Sequence, residues 1–292
     1  MAKKTSWGTP FGFLGIETEG TRKPRFSVIS VPFDSTASYR SGSKKGPAAI
    51  IEASKQVELF DLEFGREICP AIETLPPIET AGASPEENCR RVRETVSQIL
   101  DEGKIPVVLG GDHSVSIGAI GAFPKDVTVV SIDAHGDLRD SYEGSKFSHA
   151  CVMKRAFDSG KRLVEFGVRA ISAEEAELAE KNPGKITLHF SDEIRKRGIS
   201  EILKKFAREI SGKKVYFSID IDGFDPAVAP GTGTPEPGGL SYQDGLEIIK
   251  TVCTSAEIVG FDINEVIPDE NNITTFLAAR LIFKIMGHLE MK

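Results

Sequence analysis

The sequence is poor in cysteine, in histidine and in long apolar runs. Four cysteines (Cys69, Cys89, Cys151, Cys253) are scattered over 292 residues with no Cys-x-x-Cys pair. That excludes a zinc ribbon and a disulfide scaffold. No apolar stretch approaches the roughly 20 residues of a membrane span. The start, Met1-Ala2-Lys3-Lys4-Thr5-Ser6-Trp7-Gly8, is basic but has no apolar core behind it, so it does not read as a signal peptide. Phosphate loops of the Gly-x-x-x-x-Gly-Lys-Ser/Thr type and His-Glu-x-x-His pairs are also missing. Positive charge is short as well: 36 Lys+Arg against 43 Asp+Glu leave a net charge of −7. This balance argues against a nucleic-acid backbone or an anionic membrane as the main partner. The expectation is a soluble, cytoplasmic globular protein. No repeat or linker divides the chain, so residues 1–292 are expected to form a single domain.

Short β-branched runs alternate with helical patterns. Strands are expected at Phe26–Val31, Pro106–Leu109, Val127–Asp133, Leu163–Val168, Ile186–Phe190, Val215–Ile221 and Ile258–Ile263. Most are apolar on both faces, as buried parallel strands are. The clearest helix runs from Ser84 to Leu100. Ser84 can cap it, Pro85 suits its first turn, and Val92, Val96, Ile99 and Leu100 form one stripe. Others are expected at Pro47–Leu59, Ser172–Lys181, Ser200–Ile210, Ser241–Thr254 and Ile273–Leu289. Repeated β-α alternation implies an α/β fold with a mostly parallel sheet and helices on both faces. A (β/α)8 barrel competes, since the strand count is close to eight. Either architecture places ligands at the carboxyl ends of strands.

Three clusters of acids and histidines fall at those ends: Gly110-Gly111-Asp112-His113-Ser114, Asp133-Ala134-His135-Gly136-Asp137, and Ser218-Ile219-Asp220-Ile221-Asp222-Gly223. Residues two apart in extended chain share a face, so Asp133, His135 and Asp137 can converge, as can Asp220 and Asp222. Singly, each cluster has an ordinary explanation: a solvated turn for Asp-x-Asp, a helix cap for His113. Together they place several carboxylates where burial without counter-charge is prohibitive. Two imidazoles (His113, His135) and four carboxylates (Asp133, Asp137, Asp220, Asp222) form a hard, thiolate-free donor set. It favours Mn²⁺ over structural zinc, with Mg²⁺, Fe²⁺ and Zn²⁺ as further candidates. Six ligands suit two metals bridged by carboxylates better than one. His149, beyond the loop 138–148, opens a helical run and is a candidate proton shuttle, or else a capping or surface histidine. Glu265 ends the strand Ile258–Ile263 and can grip a cationic substrate, or else is an ordinary loop acid. His189 and His288 lack acidic neighbours at matching spacing and read as structural.

Together with Gly260-Phe261-Asp262-Ile263-Asn264-Glu265-Val266 and the stretch Pro230–Ser241, these blocks resemble the ureohydrolase family of arginases and agmatinases, from about Ser27 to Gly287. The resemblance implies a three-layer α/β/α sandwich and two manganese ions per subunit. By motif position, one metal would take His113, Asp133, Asp137 and Asp220, and the other Asp133, His135, Asp220 and Asp222. It further implies His149 as the proton shuttle, Glu265 as the guanidinium-binding acid, and homotrimers or homohexamers. Arginases carry an Asn soon after the Asp-Ala-His-x-Asp block and an acid after a Gly-x-Arg strand end. Here those stretches read Leu138-Arg139-Asp140 and Ala170-Ile171-Ser172. The expected reaction is therefore hydrolysis of agmatine to putrescine and urea. Aminopropylagmatine, guanidinobutyrate, arginine and formimidoyl amino acids are alternative substrates. A metal-binding scaffold without activity would need neither His149 nor Glu265. The residues that read the substrate side chain are expected in loops 31–45 and 138–148.

Overall fold

The computed structural model describes residues 12–16 and 23–292; the basic stretch 1–8 lies outside them. Eight strands make one sheet: β1 (Phe26–Val31), β4 (Ile72–Thr74), β5 (Ile105–Gly110), β6 (Thr128–Ile132), β7 (Leu163–Val168), β8 (Ile186–Phe190), β9 (Lys214–Asp220) and β10 (Glu257–Asn264). Their order is β4-β1-β5-β10-β9-β6-β7-β8, and every pairing is parallel. The sheet is open, with β4 and β8 at its edges, so the barrel alternative does not hold. A two-stranded hairpin, β2 (Phe60–Asp61) with β3 (Arg66–Glu67), stands apart.

Alternate residues of each strand feed two separate cores. Val107 and Leu109 of β5, Val130 and Ile132 of β6, and Phe217 and Ile219 of β9 face one helical layer. That layer holds α1 (Gly46–Ser54), α6 (Ser191–Arg197), α7 (Ile199–Ile210), α8 (Tyr242–Ser255) and α9 (Ile273–Glu290). Val108, Val129 and Tyr216 face the other layer, with α2 (Pro85–Asp101), α3 (Val115–Gly121), α4 (Val152–Asp158) and α5 (Ala173–Lys181). The result is the three-layer α/β/α arrangement.

All seven expected strands form, with ends shifted by a residue or so. The helix expected over 47–59 stops at Ser54. The chain then turns into the hairpin, which Lys284 of α9 draws in through ion pairs with Asp61 (2.7 Å) and Glu63 (3.1 Å). Ser84, Ser172 and Ser241 cap α2, α5 and α8 through their side chains. Short elements such as β4, α3 and α6 carry too few residues for a periodic pattern.

On the α2–α5 side, one row of the sheet is polar and buried. Asp262, Ser218, Ser131 and Glu165 pair in register across β10, β9, β6 and β7, and none is exposed. Two residues further along, the same face carries Asn264, Asp220 and Asp133. The polar row therefore underlies the carboxyl ends of β10, β9 and β6, where the acids cluster, and reaches β7.

The turn after β5 is pressed against the turn after β1. A Cβ on Gly111 would lie 1.9 Å from the carbonyl oxygen of Phe33, which accepts a hydrogen bond from the Asp112 N–H at 2.7 Å. Gly111→Ala should cost about 1–3 kcal/mol of stability through this overpacking. Urea unfolding measures it, and an unchanged midpoint would contradict the tight approach.

Candidate functional site

Four neighbouring strands deliver the cluster. His113 follows β5. Asp133, His135 and Asp137 follow β6. Asp220 ends β9, with Asp222 just beyond it, and Glu265 follows β10. In Asp133, Asp220 and Asp222 one carboxylate oxygen is held by a backbone N–H. Asp133 Oδ1 accepts from His135 (2.7 Å), Asp220 Oδ1 from Asp222 (2.9 Å) and Asp222 Oδ1 from Ala134 (3.1 Å). The second oxygen of each points inward. His113 Nδ1 lies 2.9 Å from Asp137 Oδ2, 3.1 Å from Asp133 Oδ2 and 3.4 Å from Asp220 Oδ2. His135 Nδ1 lies 3.0 Å from Asp222 Oδ2 and 3.7 Å from Asp133 Oδ1. Two donor sets result, His113–Asp133–Asp220 and Asp133–His135–Asp222, and Asp133 belongs to both.

The fit of this set to a cation can be judged from its hydrogen bonds. His113 Nδ1 and Asp133 Oδ2 are buried and have no hydrogen-bond partner, although acids crowd around them. These atoms lie 3.1 Å apart within a group of ligand atoms all within 4.8 Å of one another, a spacing that suits a shared ion. His113 is held from behind: Ser218 Oγ lies 3.0 Å from its Nε2 and donates to Asp262 Oδ1 at 2.7 Å. This network assigns the Nε2 proton to the Ser218 bond and turns Nδ1 toward the acids. Tyr216 and Asn264 also donate to Asp262, at 2.6 and 2.7 Å.

Burial and mutual repulsion pull the pKa values apart. Burial, together with the neighbouring Asp133 charge, raises the Asp137 carboxyl to about 6. Burial raises Asp220 too, with Asp222 and Asp133 adding to it. Burial alone would lower His135, but Asp222 and Asp133 outweigh it and push it up to about 12. The same contest raises His113 through Asp133 and Asp137. A proton on these imidazoles and a cation between the acids are alternatives, which is the usual competition at a metal site.

Glu265 is buried, and its Oε1 accepts from the His113 N–H at 2.8 Å. Both Glu265 (φ 62°) and Asp137 (φ 47°) sit in the left-handed region, a strain that clusters at functional sites. His149 is half-buried on the rim of a cavity of about 380 Å³, which it shares with His135, Asp137, Tyr142, Ser172 and Glu236. Its ring meets Ser38 Oγ at 3.4 Å and the edge of Tyr142 at 5.6 Å between centroids. His189 and His288 lie apart from the cluster, stacked on Phe166 and set edge-on to Phe64.

The sequence profile of the arginase family matches residues 24–287. The chain belongs to the arginase family. It is 36% identical over 273 residues to the N(1)-aminopropylagmatine ureohydrolase of a Synechocystis species, covering 89% of this chain and 88% of that one. It is 34% identical over 285 residues to the agmatinase of Pyrococcus horikoshii, covering 94% and 95% of the two. The agmatine ureohydrolase of Thermoplasma volcanium superposes with a TM-score of 0.84 at 37% identity, covering 92% of this chain and 90% of that one.

Sequence reasoning passed over one acid beside this arginase-family cluster. Glu165 of β7 is wholly buried, and neither of its carboxylate oxygens has a hydrogen-bond partner. Burial, with the Asp133 and Asp137 charges, drives its pKa well up from 4.5. Only its place in a Val/Ile-rich strand, as the one acid there, signals it. The unfolded chain gives up this proton first, so Glu165 costs stability increasingly as pH climbs from about 4.5 toward the folded pKa. In chelated protein, Glu165→Gln should melt above wild type by a margin that grows as pH rises above about 5. A margin independent of pH would contradict a neutral buried acid.

Proposed function

We propose that this chain hydrolyses a guanidino amine, most directly agmatine to putrescine and urea, with two manganese ions per subunit. The chain is an arginase-family ureohydrolase of the agmatinase type. The observation that carries it is the pair of inward-facing donor sets sharing Asp133, with unpartnered His113 Nδ1 and Asp133 Oδ2 at their centre. His113, Asp133, Asp137 and Asp220 would hold one ion, and Asp133, His135, Asp220 and Asp222 the other. The set has no thiolate, since no cysteine belongs to either group, and hard oxygen ligands with imidazole suit Mn²⁺. Ions bound there would supply Lewis acidity and activate water for attack on the guanidinium carbon.

The protein's own groups do the rest. Glu265, fixed through its Oε1 by the His113 N–H, offers a carboxylate to the planar guanidinium. His149 stands at the cavity rim, held by Ser38 and Tyr142, where it can give a proton to the departing amine. Water adds to the guanidinium carbon, the carbon–nitrogen bond to the side chain breaks, and urea and the protonated amine leave.

The rim speaks for an amine without a carboxylate. Ser172 caps α5 where an arginase would present an acid, and both Glu175 oxygens are committed, to Leu138 N (2.9 Å) and Ser172 N (2.7 Å). Asp140 is taken up by Arg155 and Lys146. Aminopropylagmatine is the second reading, favoured by the named activity of the Synechocystis relative. The resemblance further supports a single ureohydrolase domain over 1–292, a homotrimer or homohexamer, and a cytoplasmic location. Among the described residues no helix is long and apolar enough to cross a membrane.

Urea release from agmatine should depend on added Mn²⁺ and exceed release from arginine by at least about tenfold in kcat/KM. No urea from agmatine, aminopropylagmatine, guanidinobutyrate or arginine would end the proposal. Asp133→Asn should lose metal along with turnover. His149→Phe should keep both metals while kcat falls by roughly a hundredfold or more. A metal-free His149→Phe protein would refute the division of roles.

A further inference from the structure

The loop 31–45 is joined to the Gly-Gly-Asp-His segment by a chain of hydrogen bonds that ends on the backbone of His149. Asp112 has no exposed surface, yet its carboxylate is saturated. Oδ1 accepts from the Ser114 N–H (3.1 Å) and from the Ser114 hydroxyl. Oδ2 accepts from the Thr36 N–H and from Thr36 Oγ1, each at 2.9 Å. Thr36 Oγ1 in turn accepts from the His149 N–H at 3.0 Å. The single hydroxyl proton of Thr36 is thus committed to Asp112, which leaves its lone pairs for His149. A local turn onto Ser114 accounts for Oδ1 of Asp112 but not for Oδ2, which serves Thr36 alone.

We infer that Thr36 is a positioning residue for the reaction: its hydroxyl, oriented by Asp112, fixes the backbone at His149 and so sets where the imidazole stands relative to the metal ligands. The inference rests on the proton-transfer role proposed above for His149. Several observations carry it. His149 opens a single short 3-10 turn, His149–Cys151, whose preceding Ser148 provides no side-chain cap. The ring itself has only loose polar contacts, 3.4 Å to Ser38 and 3.3 Å to Ser148. The Thr36 bond ties His149 itself to the loop 31–45, while one residue on the Ala150 carbonyl accepts from the Arg139 N–H at 3.1 Å. Thr36 is 8% exposed, so water competes little for its hydroxyl. Its anchor, Asp112, precedes the metal-facing His113, and the Asp112 N–H bonds Phe33 O at 2.7 Å. The same strand-end turn thus fixes both histidines, His113 through the chain and His149 through Thr36. Threonine suits this place because its branched Cβ restricts χ1 and holds the hydroxyl in one direction.

The test is a double-mutant cycle on the Mn²⁺-loaded enzyme with agmatine, using Thr36→Val, Thr36→Ser and His149→Phe. Valine keeps the shape and removes the hydroxyl; serine keeps the hydroxyl. Thr36→Val should retain full metal content and lower kcat between about tenfold and about a hundredfold, with KM changed less, as expected when a reacting group is displaced. Thr36→Ser should recover most of that loss. In the His149→Phe background, Thr36→Val should cause no further drop in kcat. A Thr36→Val enzyme as fast as wild type, beside a slow His149→Phe enzyme, would overturn the inference and leave the role of His149 standing. An equal loss from Thr36→Val with or without His149 would overturn it too, as would loss of manganese. A His149→Phe enzyme as fast as wild type would remove the role of His149 and this inference with it.

Discussion

Asp133 has no exposed surface, stands at the carboxyl end of a central strand and faces two imidazoles. Removing such a carboxylate from water costs several kcal/mol unless positive charge or hydrogen bonds offset it. Its own backbone supplies one hydrogen bond, from His135 to Oδ1. The other oxygen is left with no hydrogen bond among crowded acids. Asp137, Asp220 and Asp222 add further charge to the same few ångströms. The cluster is consistent as a cation site and costly as anything else, and the surrounding fold is arranged around that constraint.

The sheet order is what makes the cluster possible. Segments far apart in sequence, at 113, 133–137, 220–222 and 265, become neighbours because β5, β10, β9 and β6 lie side by side. Below them, the buried row Asp262–Ser218–Ser131–Glu165 replaces apolar core. Part of that row serves the site directly, since Ser218 and Asp262 orient His113. The opposite faces of the same strands, Phe217, Ile219, Val130 and Ile132, are ordinary core. At these strand ends one face of the sheet is thus apolar core and the other carries the acid–histidine cluster.

Much of this was legible in the sequence. Strands with Val and Ile on both faces, alternating with capped helices, define a parallel α/β sheet. The i, i+2 spacing of Asp133, His135 and Asp137, and of Asp220 and Asp222, announces convergence at strand ends. Other features were hidden for physical reasons. Glu165 and Ser131 interrupt otherwise apolar strands singly, and one polar residue in a strand has no periodicity. Thr36 reaches Asp112 across 76 positions and His149 across 113, a relation that only the packed turn at Gly111 creates. Asp112, two residues ahead of the N-cap of the short helix α3, turns one oxygen onto Ser114 and gives the other to a different loop.

On the proposed reading, Asp133 and Asp220 would each be shared between two ions, Asp133 being the one that belongs to both donor sets in the structure. Electron paramagnetic resonance of the protein loaded to saturation with Mn²⁺ tests it directly. A bridged pair at two ions per chain should give an exchange-coupled spectrum. Two magnetically isolated ions, or saturation at a single ion per chain, would contradict the shared carboxylates and the arrangement built on them.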